Sequence, residues 1–261
     1  MNGVNAASSP RICVVTAGGP YPWIIINALG KVYGPIDVVI EEAEPYSLFL
    51  KRRARKVGWF SIAGQFATMV LVRLGKKRFA SRIDRIVAEN ALEQGPRPEH
   101  RVTEISSVNA PEFLDALKRI DPKVVLLAGC RIMKPGVLDA IPCPVLNYHA
   151  GINPQYRGVN GGYWALASGD AENFGTTVHL VDAGVDTGGI LYQARGKPAA
   201  DDNIMTYAHR QAAMSRDMCV RAVGDALEGR LTVVPNDAPS RQWYHPPIWQ
   251  YLATGFFRGV W

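Results

Sequence analysis

The sequence predicts an α/β fold in which a mostly parallel sheet is flanked by helices, carries a helical insert, and is followed by a C-terminal helix and tail. Three observations lead there. Apolar runs at RICVVT (Arg11 to Thr16), IDVVI (Ile36 to Ile40) and KVVLLA (Lys123 to Ala128) read as buried strands. Helical patterns separate them, and from Pro45 to about Gln94 there is no strand-like run at all. With 261 residues, 48% of them hydrophobic, the chain can build one full α/β domain with an appendage, or two small domains.

Taken in order, residues 1–10 (MNGVNAASSP) lack Lys, Arg and an apolar core, so they read as a disordered extension and not as a secretory signal. The main domain is expected over 11–200. Its first strand ends at Ala17-Gly18-Gly19-Pro20 and turns into a helix from about Pro22 to Leu29. Glycines there can cradle a phosphate, but with neither GxGxxG nor a P-loop lysine a plain tight turn is the better reading. The helical insert spans about 45–94. Its basic run Lys51-Arg52-Arg53-Ala54-Arg55-Lys56 precedes an apolar segment, Val57 to Leu74, and Lys76-Lys77-Arg78 follows it. Ser61, Gln65, Thr68 and Arg73 make that segment too polar and too short to span a membrane. A buried or dimer-forming helix with solvated basic ends is preferred to an amphipathic helix lying on a membrane surface, so membrane contact is not expected and a homodimer is left open.

Arg101 to Ser106 reads as a short strand. Ala110 to Ile120 is an amphipathic helix with Pro111 in its first turn and Phe113, Leu114 and Leu117 on one face. A turn from Gly129 leads to a helix from Pro135 to Ala140. The appendage covers 201–261: Asp201-Asp202-Asn203 offers an N-cap for a helix to about Glu228, and the tail from Leu231 is rich in aromatics. That tail packs on its own domain, lines a pocket, or makes a dimer contact.

The net charge of +6 and pI near 9.2 permit contact with anions, from nucleotides to RNA or membrane surfaces, without choosing among them. Cys13, Cys130, Cys143 and Cys219 are scattered without CxxC or CxxH spacing, so no metal site and no disulfide framework is expected, and a reducing cytoplasm fits.

Residues able to do chemistry concentrate between Val145 and Gly189. Val145 to His149 reads as a strand end, on which Asn147 and His149 leave the same face. Gly175 to Val181 reads as a second strand that empties into a glycine-rich loop carrying Asp182 and Asp186. If the two strands are neighbours, an Asn, a His and an Asp converge at one rim. Such a trio suits attack of an amine on an activated carbonyl: the amide and a protonated imidazole donate to the developing oxyanion, and the carboxylate orients the ring and helps pass protons. No Ser or Cys sits at a turn suited to a covalent nucleophile.

Asn147-Tyr148-His149, Pro154-Gln155-Tyr156-Arg157-Gly158, Gly175-Thr176-Thr177-Val178-His179 and Asp182-Ala183-Gly184-Val185-Asp186-Thr187-Gly188 together resemble the formyltransferases that use 10-formyltetrahydrofolate. That family includes glycinamide ribonucleotide formyltransferase, the catalytic domain of methionyl-tRNA formyltransferase, and the nucleotide-sugar N-formyltransferases. The resemblance is close from about Lys123 to Gln193 and implies a Rossmann-like formyltransferase sheet over 11–200. It also implies that Asn147, His149 and Asp186 are catalytic, and that Arg131, Ile132 and Met133 hold the pterin ring of the folate. Asp182 shapes its loop or lies near the pterin. The Gly151 to Gly162 loop reads as a lid, with Tyr156, Arg157 and Asn160 as candidates to touch the acceptor; the alternative is a structural loop in which Arg157 pairs with a carboxylate.

His179 sits mid-strand and reads as structural, as do His100, His209 and His245, which have no partner in sequence. GGPYPW replaces the Gly-Ser-Gly-Ser-Asn type of phosphate loop found in the purine enzymes of the family, and the tail is short for the RNA-contacting domain of the tRNA enzymes. The resemblance therefore implies a small-molecule amine as acceptor, an amino sugar on a nucleotide before an amino acid or natural-product precursor, and no nucleic acid. A formyltetrahydrofolate hydrolase and a non-catalytic binding protein remain as other classes.

Overall fold

The computed structural model describes residues 10–45, 50, 53–55 and 57–261. The expected extension at 1–10 lies, apart from Pro10, outside the described residues, as do Lys51, Arg52 and Lys56 of the basic run. The strands are β1 (Ile12–Thr16), β2 (Asp37–Glu41), β3 (Arg101–Ile105), β4 (Val124–Leu127), β5 (Val145–His149), β6 (Arg157–Gly158), β7 (Gly175–Leu180), β8 (Ile190–Arg195) and β9 (Gln242–Trp243). The helices are α1 (Pro20–Tyr33), α2 (Trp59–Gly75), α3 (Ala80–Glu89), α4 (Pro111–Ile120), the single turn α5 (Pro135–Leu138), α6 (Gly161–Ala167), α7 (Tyr207–Leu227) and α8 (Ile248–Arg258).

One seven-stranded sheet has the order β3-β2-β1-β4-β5-β7-β8. The first five strands in that order are parallel, whereas β7 runs antiparallel to β5 and β8 antiparallel to β7. Burial on both faces explains the unbroken apolar runs: successive residues of β1 feed opposite sides. Ile12 and Val14 pack with Ile24, Leu29, Cys219 and Val223 under α1 and α7, while Cys13 and Val15 pack with Phe113 and Leu117 of α4. The chain leaves β1 outward to β2 and β3, then returns to β4 on the other side. Open α/β sheets bind ligands at the carboxyl ends of the strands flanking such a reversal.

Two boundaries differ from expectation. Helix α1 begins at Pro20 and continues past Leu29 to Tyr33, where Gly34 at φ 83° ends it. Helix α7 begins at Tyr207 and not at the Asp201-Asp202-Asn203 cap. Asp202 is instead occupied by the Thr206 hydroxyl (3.1 Å) and the Arg210 Nε (2.6 Å), and Asn203 Oδ1 accepts the Met205 N–H (2.9 Å). These bonds order a turn ahead of the helix.

Within the insert the described residues hold no strand: α2, a 3-10 turn at Lys76–Phe79, and α3. Ile86 anchors α3 in the main core. Helix α2 packs on α8, where Gly64 leaves room for Trp249 and Pro247, and only this face is covered. The expected buried helix is thus half exposed. No helix among the described residues is long and apolar enough to cross a membrane. The tail folds back on the domain: Tyr251 and Trp261 join Tyr163 and Trp164 of α6 in a third core cluster.

Candidate active site

At the carboxyl ends of β4 and β5, beside Tyr21 of α1, lies a cavity of about 500 Å³, within the usual range for small-molecule sites. Its floor is β5. Asn147 and His149 project from the same face of this strand, and the antiparallel register sets His179 of β7 directly opposite Asn147. The loop after β7 brings Asp186 over both strands.

Asp186 is the hub. Its Oδ2 accepts the Gly158 N–H at 2.8 Å and faces His149 Nδ1 at 3.5 Å. Its Oδ1 accepts from Asn147 Nδ2 at 3.1 Å and faces His179 Nε2 at 3.4 Å. Asn147 Nδ2 also lies 3.0 Å from that imidazole nitrogen. The bond to Asp186 uses one amide N–H of Asn147, which leaves the second to face His179 and the cavity. Burial of the Asp186 carboxyl pushes its pKa up, but the charge of His149, the His179 hydrogen bond and the Gly158 N–H outweigh burial, and the net shift is downward. The group is a held carboxylate.

Carbonyl oxygens settle the imidazole orientations, because a carbonyl only accepts. His149 Nε2 lies 2.7 Å from the Tyr156 carbonyl and therefore donates, which leaves Nδ1 facing Asp186. A carboxylate there favours N–H over a lone pair at Nδ1. His179 Nδ1 likewise donates to the Leu180 carbonyl at 2.6 Å, which turns Nε2 toward Asn147 and Asp186.

The backbone of Asp186 is left-handed (φ 52°), a conformation Asp tolerates at modest cost. The loop is held there by Asn153 Nδ2 donating to the Asp186 carbonyl (3.0 Å) and by Arg157 Nη1 donating to the Val185 carbonyl (2.6 Å). Gly188 permits the return to β8: a Cβ there would stand 1.8 Å from the Leu180 carbonyl oxygen. Gly158 and Arg157 form β6, whose partner β9 lies in the tail, pairing Arg157 with Gln242 and Gly158 with Trp243. Through this ladder Gln242, Trp243 and Tyr244 wall the cavity, and Arg53 lies over the Tyr244 ring at 4.2 Å.

The residues read from sequence distribute unevenly around this space. Asn147, His149 and Asp186 come together. Ile132, Met133, Asp182 and Asn160 line the cavity, and Asn160 also donates to His245 Nδ1 at 3.1 Å. Arg131 reaches it with its backbone and stem, but its guanidinium goes to Glu41 (3.6 Å) and the Ser106 carbonyl (3.1 Å), with a further bond to the Glu42 carbonyl. Asp182 Oδ1 is taken by the Gly184 N–H (3.0 Å) and the Thr187 hydroxyl (2.7 Å), a loop-shaping role. Tyr156 and Arg157 are not among the cavity-lining residues. The Tyr156 ring is buried against Trp243 with its hydroxyl on Asp170 (2.8 Å), and Arg157 braces Val185 and the Ser240 hydroxyl (2.9 Å). Gly18 and Gly19 also lie off the cavity lining.

His179, set aside as structural from its mid-strand position, stands inside the site. Its signal was the alternation that puts it on one face with Thr177; the antiparallel register that aims this face at Asn147 was not readable locally. Asn153 grips the Asp186 carbonyl with its side chain and Tyr156 offers its own carbonyl to His149, and contacts made to backbone leave no pattern in sequence.

A family model described as formyl transferase matches residues 63–223. The chain belongs to the formyl transferase family. It is 35% identical over 137 residues to methionyl-tRNA formyltransferase of Synechococcus sp. (strain JA-3-3Ab), covering 52% of this chain and 42% of that protein. The same enzyme of Caldanaerobacter subterraneus is 30% identical over 164 residues, covering 62% and 51%. The chain thus spans about half the length, or less, of the curated relatives it matches. In three dimensions it is similar to a sugar N-formyltransferase from Shewanella sp. FDAARGOS_354 (TM-score 0.56, 16% identity, 90% of this chain and 76% of that one). It is also similar to glycinamide ribonucleotide transformylase 1 from Symbiobacterium toebii (TM-score 0.57, 22% identity, 90% and 95%). These likenesses show the shared fold.

Proposed function

We propose that this chain transfers a formyl group from 10-formyltetrahydrofolate to a primary amine, with an amino sugar carried on a nucleotide as acceptor. The observation that carries the reading is the Asn147–His149–Asp186 arrangement at the mouth of β5 in a chain of the formyl transferase family. A structural neighbour from Helicobacter canadensis (TM-score 0.54, 12% identity) was crystallised with folinic acid and dTDP-3-aminofucose, a folate and a nucleotide-linked amino sugar.

The cavity fits a folate ring on chemical grounds. Leu127, Ile132, Met133 and Val181 give it apolar flanks, and the backbone from Gly129 to Cys130 supplies polar edges. When bound, the folate supplies a formyl carbon activated at N10. The chain's own groups do the rest. An Asn147 N–H and the His149 Nδ1–H donate to the formyl oxygen as it gains negative charge under amine attack. Asp186, held ionised, stabilises the charged His149 ring; as the carbon–N10 bond breaks, Nδ1 gives its proton to N10 and then takes up the proton shed by the attacking amine, so the ring ends as it began. Asn147 is positioned for this by His179 and Asp186 together.

Support for the acceptor comes from the second half of the cavity. Tyr244, with Arg53 over one face of its ring, gives this half an aromatic wall, and Arg53 and Asn160 bring polar groups to it. The glycine turn at Gly18-Gly19, the place for a purine-pathway phosphate, lies off the lining.

The test is absorbance-monitored conversion of 10-formyltetrahydrofolate to tetrahydrofolate with a panel of amines that includes nucleotide-linked amino sugars, run beside Asp186→Asn. Turnover that depends on an amino-sugar nucleotide and is lost in the variant supports the proposal. Turnover with no amine present would make the protein a hydrolase instead, and turnover with a different amine would move the acceptor class.

A further inference from the structure

Helix α2 is built inside out. Toward α8 it buries Gly64, Gln65 and Thr68 beside Ile62. Toward solvent it presents Trp59, Phe66, Val70 and Leu74, spaced seven, four and four residues apart and so on one helical face, with Phe60 and Leu71 alongside. Trp59 is 67%, Phe60 78% and Leu74 76% exposed. Helix α8 extends the face: Trp249 stacks on Phe60 at 4.6 Å, and Phe256 and Phe257 are exposed near its end. A surface helix ordinarily turns its apolar stripe inward, so a contiguous outward stripe marks a surface that something covers.

The charge around the stripe says what kind of partner covers it. Residues 50–82 hold ten Lys and Arg and no Asp or Glu; residues 238–261 hold two and none. Of the 29 basic and 23 acidic residues, all 23 acidic ones lie elsewhere, with only 17 basic ones. Along the chain the overall +6 thus divides into +12 over residues 50–82 and 238–261 and −6 over the rest. Exposed Arg55 stands four residues before Trp59, exposed Arg73 adjoins Leu74, and exposed Lys77 and Arg78 follow it. A second copy docked face to face would bring two such basic rims together, which like-charge repulsion opposes. An anionic bilayer satisfies both features at once, taking aromatic and aliphatic side chains at the head-group boundary and basic ones over acidic head groups.

We propose that the α2–α8 face docks this protein on an anionic lipid membrane surface. Trp59, Phe66, Leu74, Phe256 and Phe257 enter the interface, and Lys77, Arg78 and their basic neighbours hold the head groups. The helix lies on the surface and does not span it, consistent with its 17 residues. This inference concerns location and stands independently of the formyl-transfer reading.

Vesicle flotation at low salt tests it, using phosphatidylcholine alone and phosphatidylcholine mixed with phosphatidylglycerol. The full chain floats with the mixed vesicles and not with phosphatidylcholine, and added salt weakens binding. The pairs Phe66→Ser with Leu74→Ser, Phe256→Ser with Phe257→Ser, and Lys77→Glu with Arg78→Glu each reduce partitioning by roughly tenfold or more. Because all six side chains are solvent-facing, circular-dichroism melting stays at the wild-type temperature. The proposal is overturned if the wild type does not float with mixed vesicles, or if both apolar pairs bind as wild type does. Vesicle-free dimerisation that Phe66→Ser with Leu74→Ser abolishes would assign the face to a second copy. Binding to an RNA homopolymer without vesicle binding would assign it to nucleic acid.

Discussion

Gly151→Ala tests how His149 is held. A Cβ on Gly151 would lie 2.3 Å from the Tyr156 carbonyl oxygen and 2.6 Å from His149 Nε2, and 3.2 Å from Gly161 Cα. Ordinary contact begins about 1 Å further out, and two of these neighbours are backbone. The carbonyl has little freedom to move: the Tyr156 N–H is bonded to the Ile152 carbonyl (2.8 Å), and the next residue is in the β6–β9 ladder. Relief must separate the carbonyl from the imidazole and stretch their 2.7 Å hydrogen bond beyond bonding range. Overpacking costs ~1–3 kcal/mol and an unpaired buried N–H a comparable amount, so melting should fall by roughly 5–15 °C in a chain of this size. A misplacement of about 1 Å at a catalytic group costs ~100-fold in rate. Circular-dichroism melting and steady-state formyl transfer measure the two effects, with Gly136→Ala as the control because nothing lies within 4 Å of a Cβ there. If Gly151→Ala melts lower but keeps kcat within threefold of wild type, the Tyr156 carbonyl does not position His149 and the argument fails.

Four further outcomes are expected. Asp186→Asn removes a charge 3.5 Å from His149 Nδ1 and should lower kcat by ~10²–10⁴ with little change in KM, as steady-state kinetics will report. His179→Phe keeps the strand packing but strips Asn147 of one of its two partners; kcat should fall about 10–100-fold while His179→Gln recovers part of it, and equal losses in both variants would remove His179 from a positioning role. Arg157→Ala frees the Val185 carbonyl, so kcat should drop roughly tenfold while KM for the amine holds, whereas an acceptor contact would raise KM instead. In acid, two groups act in one direction. Burial, then the nearby Arg53 charge, lower the His245 pKa to about 4, below its unfolded value, so the unfolded chain binds the extra proton first and stability falls as pH drops from about 6.5 to 4, by ~1–3 kcal/mol. Asp186, whose folded pKa is depressed, contributes stability that is complete above its unfolded pKa and is lost as pH falls through the folded one. Urea denaturation from pH 7 to below the unfolded Asp pKa of about 3.9, with His245→Gln expected to flatten the part above pH 4, measures both.

Much of the architecture was legible because buried parallel strands leave continuous apolar runs and β5 ends at its last polar pair. Val145 to His149 was read to the residue, and the same-face relation of Asn147 and His149 follows from strand geometry alone. The candidate site was legible for a different reason: Asn147, His149 and Asp186 fall within motifs whose residue types and spacing resemble those of the formyl transferase family. Helix ends were less clear, since Asp202 and Asn203 look like a cap in sequence yet bond ahead of the helix.

By itself, then, the sequence determined the strands of the seven-stranded sheet, the polar end of β5 and the family to which its motifs belong, since these depend on interactions between near neighbours, whereas β6 and β9 fell in stretches read as loop and tail. Only the tertiary structure decided which face of β7 meets β5, and with it that His179 enters the site while Tyr156 and Arg157 turn away from the cavity. It alone paired β6 with β9, more than eighty residues apart, and made the tail a cavity wall. It alone turned the apolar side of α2 outward, because α8 could accept only the face with Gly64, where a larger side chain would collide with Trp249. Register and packing are set by groups distant in the chain, and no local pattern encodes them.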